Sequence, residues 1–182
     1  MFARSCCGDS HVPDRDVVLA TTPEFVAIRD MRECGCRDGF FAALAIPRSR
    51  VTGIEDPRRP EGIWPFAWSV ARARIVDEDE IALVINPENA RSQNQMHVHL
   101  SRLRPEERRR IDGLPDGPDA GGTVLITLDD LHAVFAQLIS ALGSDRIGDR
   151  GVLVLRGAGG RGFRALITDR VSPEAFTIAR CG

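Results

Sequence analysis

Two histidines separated by one residue are the side chains in this sequence best suited to chemistry. On a β-strand alternate side chains share a face, so His97, His99 and Ser101 should lie on one face while the apolar residues between them enter the core. Neutral imidazole is a nucleophile near neutral pH, and its attack on phosphorus divides phosphoanhydride cleavage into formation and hydrolysis of a phosphoramidate. The spacing therefore predicts that both imidazoles line one cleft and that this cleft is a nucleotidyl-transfer site. The alternative is a pair of structural histidines at a sheet edge.

The composition limits the chemistry that can accompany these histidines. All 24 basic residues are arginine, and tyrosine is absent, which excludes Schiff-base lysines, a P-loop lysine and a tyrosine general acid. The net charge of −2 gives no bulk attraction to nucleic acid or to an acidic membrane surface. Phosphate charge must therefore be met by arginine, backbone N–H groups or neutral amides. We expect small-molecule partners and no nucleic acid.

The length of the chain indicates a single domain. With 182 residues and 43% hydrophobic composition, it can bury a substantial core, and we expect one domain over residues 1–182. The sequence has no apolar run of about 18 residues, the length that would span a membrane. Its first residues also lack the apolar stretch of a signal peptide. We expect a cytoplasmic protein or one from which an upstream export or anchor segment has been removed.

The cysteines leave one further class of site open. There are five, Cys6, Cys7, Cys34, Cys36 and Cys181, and an odd number favours reduced thiols over a closed disulfide framework. Four of them, with His11, could instead bind zinc, although their spacings of none or one intervening residue differ from the usual two to four. A Cys/His metal-binding module is therefore an alternative to the enzyme interpretation, for which we expect no cofactor and no obligatory metal.

Hydrophobic periodicity predicts the elements that position the histidines. Strands are expected over residues 24–30, 39–47, 81–86, 95–103 and 123–126, with a final hairpin from residues 152–155 and 163–167 around a glycine-rich turn. Helices are expected over residues 63–75 and 105–111, and a third, capped by Asp129 or Asp130, should end near Leu142. Strands that outnumber helices and lie in hairpins predict an α+β fold, with an antiparallel sheet and helices packed mainly on one face.

Two separated blocks of sequence resemble a known family. The pattern of an Asn at a strand end, a polar turn containing Gln, and His-apolar-His resembles the histidine-triad superfamily of nucleotide hydrolases and nucleotidyltransferases. Within it, IPRSRVTGIEDP at residues 46–57 and INPENARSQNQMHVHLS at residues 85–101, followed by Arg104 and Pro105, look like CDP-diacylglycerol pyrophosphatase. The resemblance runs from about Phe25 to Pro105 and more weakly to Arg180. It implies a histidine-triad-like fold.

The resemblance also implies a reaction. His99, as the middle histidine, would attack the α-phosphorus of a nucleoside diphosphate ester and displace the distal phosphate ester. Water would then hydrolyse the adduct, which in this family gives CMP and phosphatidate from CDP-diacylglycerol. His97 would support the hydrogen-bond network behind the nucleophile, and Ser101, in the third position, would bond a phosphate oxygen.

The same resemblance assigns the substrate-binding side chains. Gln93, Asn94 and Gln95 would hold the phosphates, with Asn86 at the end of the facing strand. Uncharged amides in a partly dehydrated pocket can stabilise oxygens that gain charge in the transition state. Arg91 is a candidate partner for the distal phosphate, although a loop arginine can also be merely solvated.

The departures from the family pattern keep two other functions open. Ser101 replaces the third histidine, as transferases of the superfamily also do, and no histidine lies in residues 39–47. The usual N-terminal membrane anchor is not evident. A nucleotidyltransferase or altered-function relative with a soluble substrate is therefore an alternative, and a non-catalytic nucleotide sensor is another. Membrane contact is expected only if the substrate is a lipid, and the sequence does not predict the oligomeric state.

Overall fold

Nine antiparallel strands form one sheet in the computed structural model, which describes residues 17–30, 40–119, 121–144 and 147–178. In chain order the strands are β1 (Val18–Thr21), β2 (Phe25–Arg29), β3 (Ala42–Pro47), β4 (Ile81–Ile85), β5 (Val98–Arg102), β6 (Gly117–Pro118), β7 (Val124–Leu128), β8 (Arg150–Arg156) and β9 (Phe163–Asp169). Their order across the sheet is β1-β2-β3-β5-β4-β8-β9-β7-β6. The strands that carry the predicted site, β4 and β5, therefore lie in the middle of the sheet.

Within the described residues, three α-helices pack on the sheet, two on one face and one on the other. The helices are α1 (Ile63–Arg72), α2 (Pro105–Asp112) and α3 (Val134–Leu142). The buried side chains of α1 and α3 pack with alternate residues of β4 and β5 into the larger core, which includes Trp64, Phe135 and Leu83. On the opposite face a smaller core contains Val84 of β4 and Ile111 of α2. The predicted α+β fold, with helices mainly on one face, is confirmed.

The short apolar runs of the sequence predicted the central hairpins well. In the β4–β5 hairpin Val84 lies opposite His99 and Ala82 opposite Ser101, so all four side chains share the face of the smaller core. The β8–β9 hairpin also forms as predicted, around glycines of which three have positive φ. The two outer strands, β1 and β6, were not predicted, because short edge strands carry little periodic signal.

The strand bearing the histidines is shorter than predicted. It begins at Val98 instead of Gln95, so His97 precedes it. The backbone N–H of Met96 donates to the Val51 carbonyl oxygen at 2.7 Å, which ties this segment to the loop after β3. Similarly, α1 ends at Arg72 and not at residue 75, and the N–H group of Arg74 donates to the Ala71 carbonyl only three residues earlier, which tightens the turn after the helix.

The prediction that Asp129 or Asp130 caps α3 is wrong. The helix begins four residues later, at Val134, and the carboxylate of Asp130 instead accepts from the backbone N–H of His132. The first-turn N–H groups of Phe135 and Ala136 each donate to the Glu61 carboxylate at 2.9 Å. A side chain distant in sequence thus satisfies the donors that a local cap would usually take.

Candidate active site

His99 lies at the centre of the sheet, on the face opposite α1. Its side chain is 10% exposed, and its ring contacts that of His97 edge to face, with the centroids 4.7 Å apart. The Nδ1 of His97 lies 2.8 Å from the carbonyl oxygen of Gln95. Because a carbonyl can only accept, this contact requires the proton of His97 on Nδ1. The rings of His97 and His99 are thus in direct contact.

A carboxylate that was not predicted lies directly against His99. Glu174 Oε1 is 2.9 Å from His99 Nε2. The side-chain amide of Asn86 donates to the same oxygen at 2.6 Å, and its nitrogen lies 3.4 Å from His99 Nε2. The other end of the Asn86 amide accepts a hydrogen bond from the Ser172 hydroxyl at 2.6 Å. Asn86, assigned by resemblance to phosphate binding, is here hydrogen-bonded within the protein.

Glu174 belongs to a segment that crosses the smaller core, residues 172–178, which we call the C-terminal strap. Thr177 forms a β-bridge with Leu103, and the backbone N–H of Arg104 donates to the Phe176 carbonyl at 3.1 Å. The Phe176 ring packs against the smaller core. Ser172 and Pro173 resemble a helix start, with a cap residue followed by proline, and a short 3₁₀ helix begins there. That signal could have located the turn, but not its contact with His99.

Arg91 is held by an acidic partner. Its guanidinium makes two hydrogen bonds to the Glu55 carboxylate, at 2.7 and 2.5 Å, and its side chain is 7% exposed. Burial raises the pKa of Glu55, but the hydrogen bonds and charge of Arg91 outweigh this effect and hold the pKa below its ordinary value. A Cβ at Gly53 would lie 1.8 Å from Arg91 Nη1, so only glycine leaves room for the guanidinium. The suggested role of Arg91 at a distal phosphate stays a prediction.

His97 and His99 each border a cleft among the described residues, and that both imidazoles line one cleft stays a prediction. The first, of about 240 Å³, is lined by His97, Asn86, Arg91 and Gln95 together with residues of the loop after β3. The second, of about 230 Å³, is lined by His99, Ser101 and Glu174 with small residues of β3.

The three amide residues before His97 have different surroundings. Gln95 donates from its side chain to the Pro47 and Ser49 carbonyls, at 3.1 Å each, and so connects the β5 segment to the end of β3. Gln93 and Asn94 are exposed in the turn and do not line either cleft as the described residues define it. Binding of phosphate by these two residues would require the substrate to reach beyond the clefts.

The loop that positions Glu55 is organised by Asp56, which gives it a testable pH dependence. The Asp56 carboxylate accepts from the Arg58 side chain and from the backbone N–H groups of Arg58 and Thr52, and these bonds hold its pKa well below the usual range. A lowered folded-state pKa gives stability that is full above the unfolded value of about 3.9 and is lost as the pH falls.

We therefore expect Asp56→Asn to lower the free energy of unfolding most above about pH 5, and its difference from wild type to shrink towards pH 2. Urea unfolding at several pH values measures this difference. Asp129→Asn, at an exposed carboxylate, is the control and should show a smaller, nearly constant difference. A constant difference for Asp56→Asn across the same pH range would contradict the assignment.

Within the described residues, no group of three or more His, Cys, Asp or Glu side chains is placed to hold a metal ion. The five cysteines and His11 lie outside the described residues, so the Cys/His alternative stays a prediction. Among the helices of the described ranges, none combines the length and hydrophobicity required to cross a bilayer.

Comparison with known proteins identifies the fold and the family. The solved structure of a DUF4931 family protein from Bacillus cereus is similar in fold, with a TM-score of 0.50, 12% sequence identity, and coverage of 86% of this chain and 88% of that one. Residues 17–144 match the family model of CDP-diacylglycerol pyrophosphatase. The match covers more than half of the sequence, and the chain therefore belongs to this family. His97 and His99 lie inside the matched region, and Glu174 lies outside it.

Curated relatives share the central part of the sequence. The CDP-diacylglycerol pyrophosphatase of Mycobacterium bovis (strain BCG / Pasteur 1173P2) is 40% identical over 71 residues, which cover 34% of this chain and 27% of that protein. The probable CDP-diacylglycerol pyrophosphatase of Mycobacterium leprae is 42% identical over 72 residues, with the same coverage. The similarity thus spans about a quarter of the length of these relatives.

Proposed function

We propose that this protein is a hydrolase that cleaves the diphosphate of a CDP-linked ester, CDP-diacylglycerol or a soluble analogue, and releases CMP. The observation that carries the proposal is the position of His99, which lies within the family-matched region and borders a cleft with Ser101. The names of the family and of its mycobacterial members support a pyrophosphatase activity on a CDP-linked lipid. Membrane contact would follow only if the lipid ester is the true substrate.

The proposed reaction proceeds through a nucleotidyl-histidine. A lone pair of His99 attacks the α-phosphorus, an N–P bond forms, and the bond from that phosphorus to the bridging oxygen breaks. The leaving phosphate ester keeps the electron pair, and in the lipid case it departs as phosphatidate. Water then attacks the same phosphorus, the N–P bond breaks, and CMP leaves with the oxygen of that water.

The neighbouring side chains supply orientation and charge in this scheme. Ser101 lies on the same face as His99 and borders the same cleft, so its hydroxyl is available to a phosphate oxygen. The buried Arg91 borders the adjacent cleft, where it would meet the distal phosphate. Gln95 borders the same cleft and orients it through its hydrogen bonds to the Pro47 and Ser49 carbonyls. Donors fixed before the substrate arrives stabilise developing charge without reorganisation in the transition state.

Hydrolysis in ¹⁸O-labelled water tests both the reaction and the phosphorus that is attacked. The full chain is incubated with CDP-diacylglycerol in detergent micelles and, separately, with a soluble CDP ester. We expect CMP from at least one ester, with the label in CMP and none in the leaving phosphate ester. Label in the leaving ester, or no CMP from either substrate, would contradict the proposal. Transfer of the cytidylyl group to an added alcohol in preference to water would indicate a transferase.

A further inference from the structure

A third cavity lies away from both histidines. It measures about 790 Å³ with its open mouth, more than three times the volume of either cleft at the candidate active site. Ligand pockets usually have volumes of about 300–1,000 Å³. The cavity lies at the turn between β8 and β9, and none of its lining residues borders either cleft. The proposed hydrolysis therefore gives this cavity no role.

The position of Arg164, a lining residue, shows how far the cavity is from His99. Arg164 lies on β9, three strands from β5 in the order of the sheet, which is about 14 Å at the usual spacing between strands. Its guanidinium donates to the carbonyls of Ile111 at 3.1 Å and Leu114 at 2.9 Å, at the C-terminal end of α2. A small ligand in this cavity would therefore contact α2 and the hairpin turn without reaching His99.

The charged groups that line the cavity leave one positive charge in excess. The Thr127 hydroxyl donates to Asp116 Oδ2 and the Arg164 guanidinium donates to Oδ1, at 2.7 Å each. These bonds hold the pKa of Asp116 below its ordinary value, so the carboxylate is ionised and neutralises Arg164. Arg161 is exposed, and no described residue pairs with its guanidinium. The charge of Arg161 is thus available to a ligand.

The glycine-rich turn between β8 and β9 holds Arg161 at the edge of the cavity. The Gly157 N–H donates to the Gly162 carbonyl at 3.1 Å, and the Gly157 carbonyl accepts from the Gly160 N–H at 3.0 Å. A Cβ at Gly157 would lie 2.0 Å from the Arg161 carbonyl oxygen, so the chain can fold back this closely only against glycine. The turn therefore fixes the backbone that carries the unpaired guanidinium.

The aromatic wall of the cavity indicates which kind of ligand fits. The Phe163 ring meets the Trp68 ring almost at right angles, with the centroids 4.9 Å apart, and the Arg156 guanidinium lies over the Phe163 ring at 5.1 Å. The Phe163 ring is thus packed within the protein and is not an open surface on which a nucleobase could stack. Charge is the remaining means of recognition, and the planar donors of arginine match the oxygens of phosphate.

We propose that this cavity is a second anion site, which binds a phosphate group through the Arg161 guanidinium. Two sources carry this group, a small soluble phosphate compound and the headgroup of an anionic lipid. The site is separate from the proposed hydrolysis, because neither Arg161 nor the cavity borders the clefts of His97 and His99.

Titration of the full chain with inorganic phosphate at constant ionic strength tests the site in the absence of any CDP ester. We expect the ¹H–¹⁵N amide signals of residues 157–162 to shift with saturation. In Arg161→Gln the dissociation constant obtained from these signals should rise about tenfold, since a charged hydrogen-bond donor to phosphate is lost. Arg74→Gln, at an exposed arginine after α1, makes the same change in net charge and should keep the wild-type constant. Neither result depends on whether the protein hydrolyses CDP esters.

Cosedimentation with vesicles distinguishes the two sources of phosphate. The vesicles are phosphatidylcholine alone or with about 20% phosphatidate, an anionic lipid. Binding to phosphatidate vesicles that Arg161→Gln lowers and Arg74→Gln does not would support a lipid headgroup. Saturable shifts with inorganic phosphate and no binding to vesicles would support a soluble ligand. The absence of both signals, or equal losses in Arg161→Gln and Arg74→Gln, would overturn the proposal.

Discussion

His99→Ala will release CMP from CDP esters about 10⁶-fold more slowly than the wild type or not at all, the scale on which enzymes lose rate when the nucleophile is removed. This loss is expected because no other described side chain of the second cleft can form a phosphoramidate. The fold should persist, since the truncation leaves Glu174 hydrogen-bonded to Asn86. Initial rates with the substrate that the wild type prefers measure the effect, and thermal unfolding confirms that the variant is folded.

His132→Ala provides the matched control for this variant. His132 is exposed before α3 and lies outside both clefts as the described residues define them. We expect its removal to leave the rate of CMP release within about twofold of wild type, as is usual for surface substitutions. Substantial CMP release by a folded His99→Ala would show that the nucleophile lies elsewhere.

The second large effect is expected from Gly151→Ala on β8, a substitution that adds only one methyl group. A Cβ at this position would lie 2.5 Å from Pro173 Cδ, from Thr168 Oγ1 and from the Val171 carbonyl oxygen. Because Pro173 belongs to the strap and Val171 directly precedes it, the strap must move away from the sheet. We expect a loss of about 1–3 kcal/mol in the free energy of unfolding, which is typical of overpacking, and a reduced rate of CMP release because Glu174 shifts from His99.

Gly113→Ala is the corresponding control. Gly113 follows α2 with an ordinary negative φ, and an added Cβ there would make only normal contacts, at 3.6 Å or more. Urea unfolding and the rate of CMP release are measured on both variants. The difference between Gly151→Ala and Gly113→Ala then gives the effect of displacing the strap, apart from the general effect of replacing a glycine. If Gly151→Ala behaves like Gly113→Ala, the strap does not hold the site in the way described.

The parts of the fold that local pattern controls were predictable from sequence. The β4–β5 hairpin follows from a continuous apolar run before a polar turn and alternating residues after it, and this alternation places His99 and Ser101 on one face. The helix beginning at Pro105 follows from proline at its first position. In both cases the sequence pattern that predicts the element lies within the few residues that form it.

The parts that depend on distant contacts were not predictable in the same way. The start of α3 is determined by Glu61, which lies more than seventy positions earlier, so the prediction of a local aspartate cap is wrong. Glu174 was not predicted for the same reason, because neither its residue type nor its distance from His99 along the sequence indicates their contact. Arg91 was identified as a charged residue near the site, but its buried pairing with Glu55 could be found only in three dimensions.

The most direct test of the central claim is to look for a cytidylyl group on His99 during turnover. Wild-type protein is mixed with a CDP ester and quenched rapidly, under conditions that preserve phosphoramidates. Intact-mass measurement is then followed by peptide mapping. We expect a transient mass increase of one cytidylyl group, located on the peptide that contains His99 and missing from His99→Ala. CMP release at full rate with no adduct at any quench time, or with an adduct on another residue, would contradict the account.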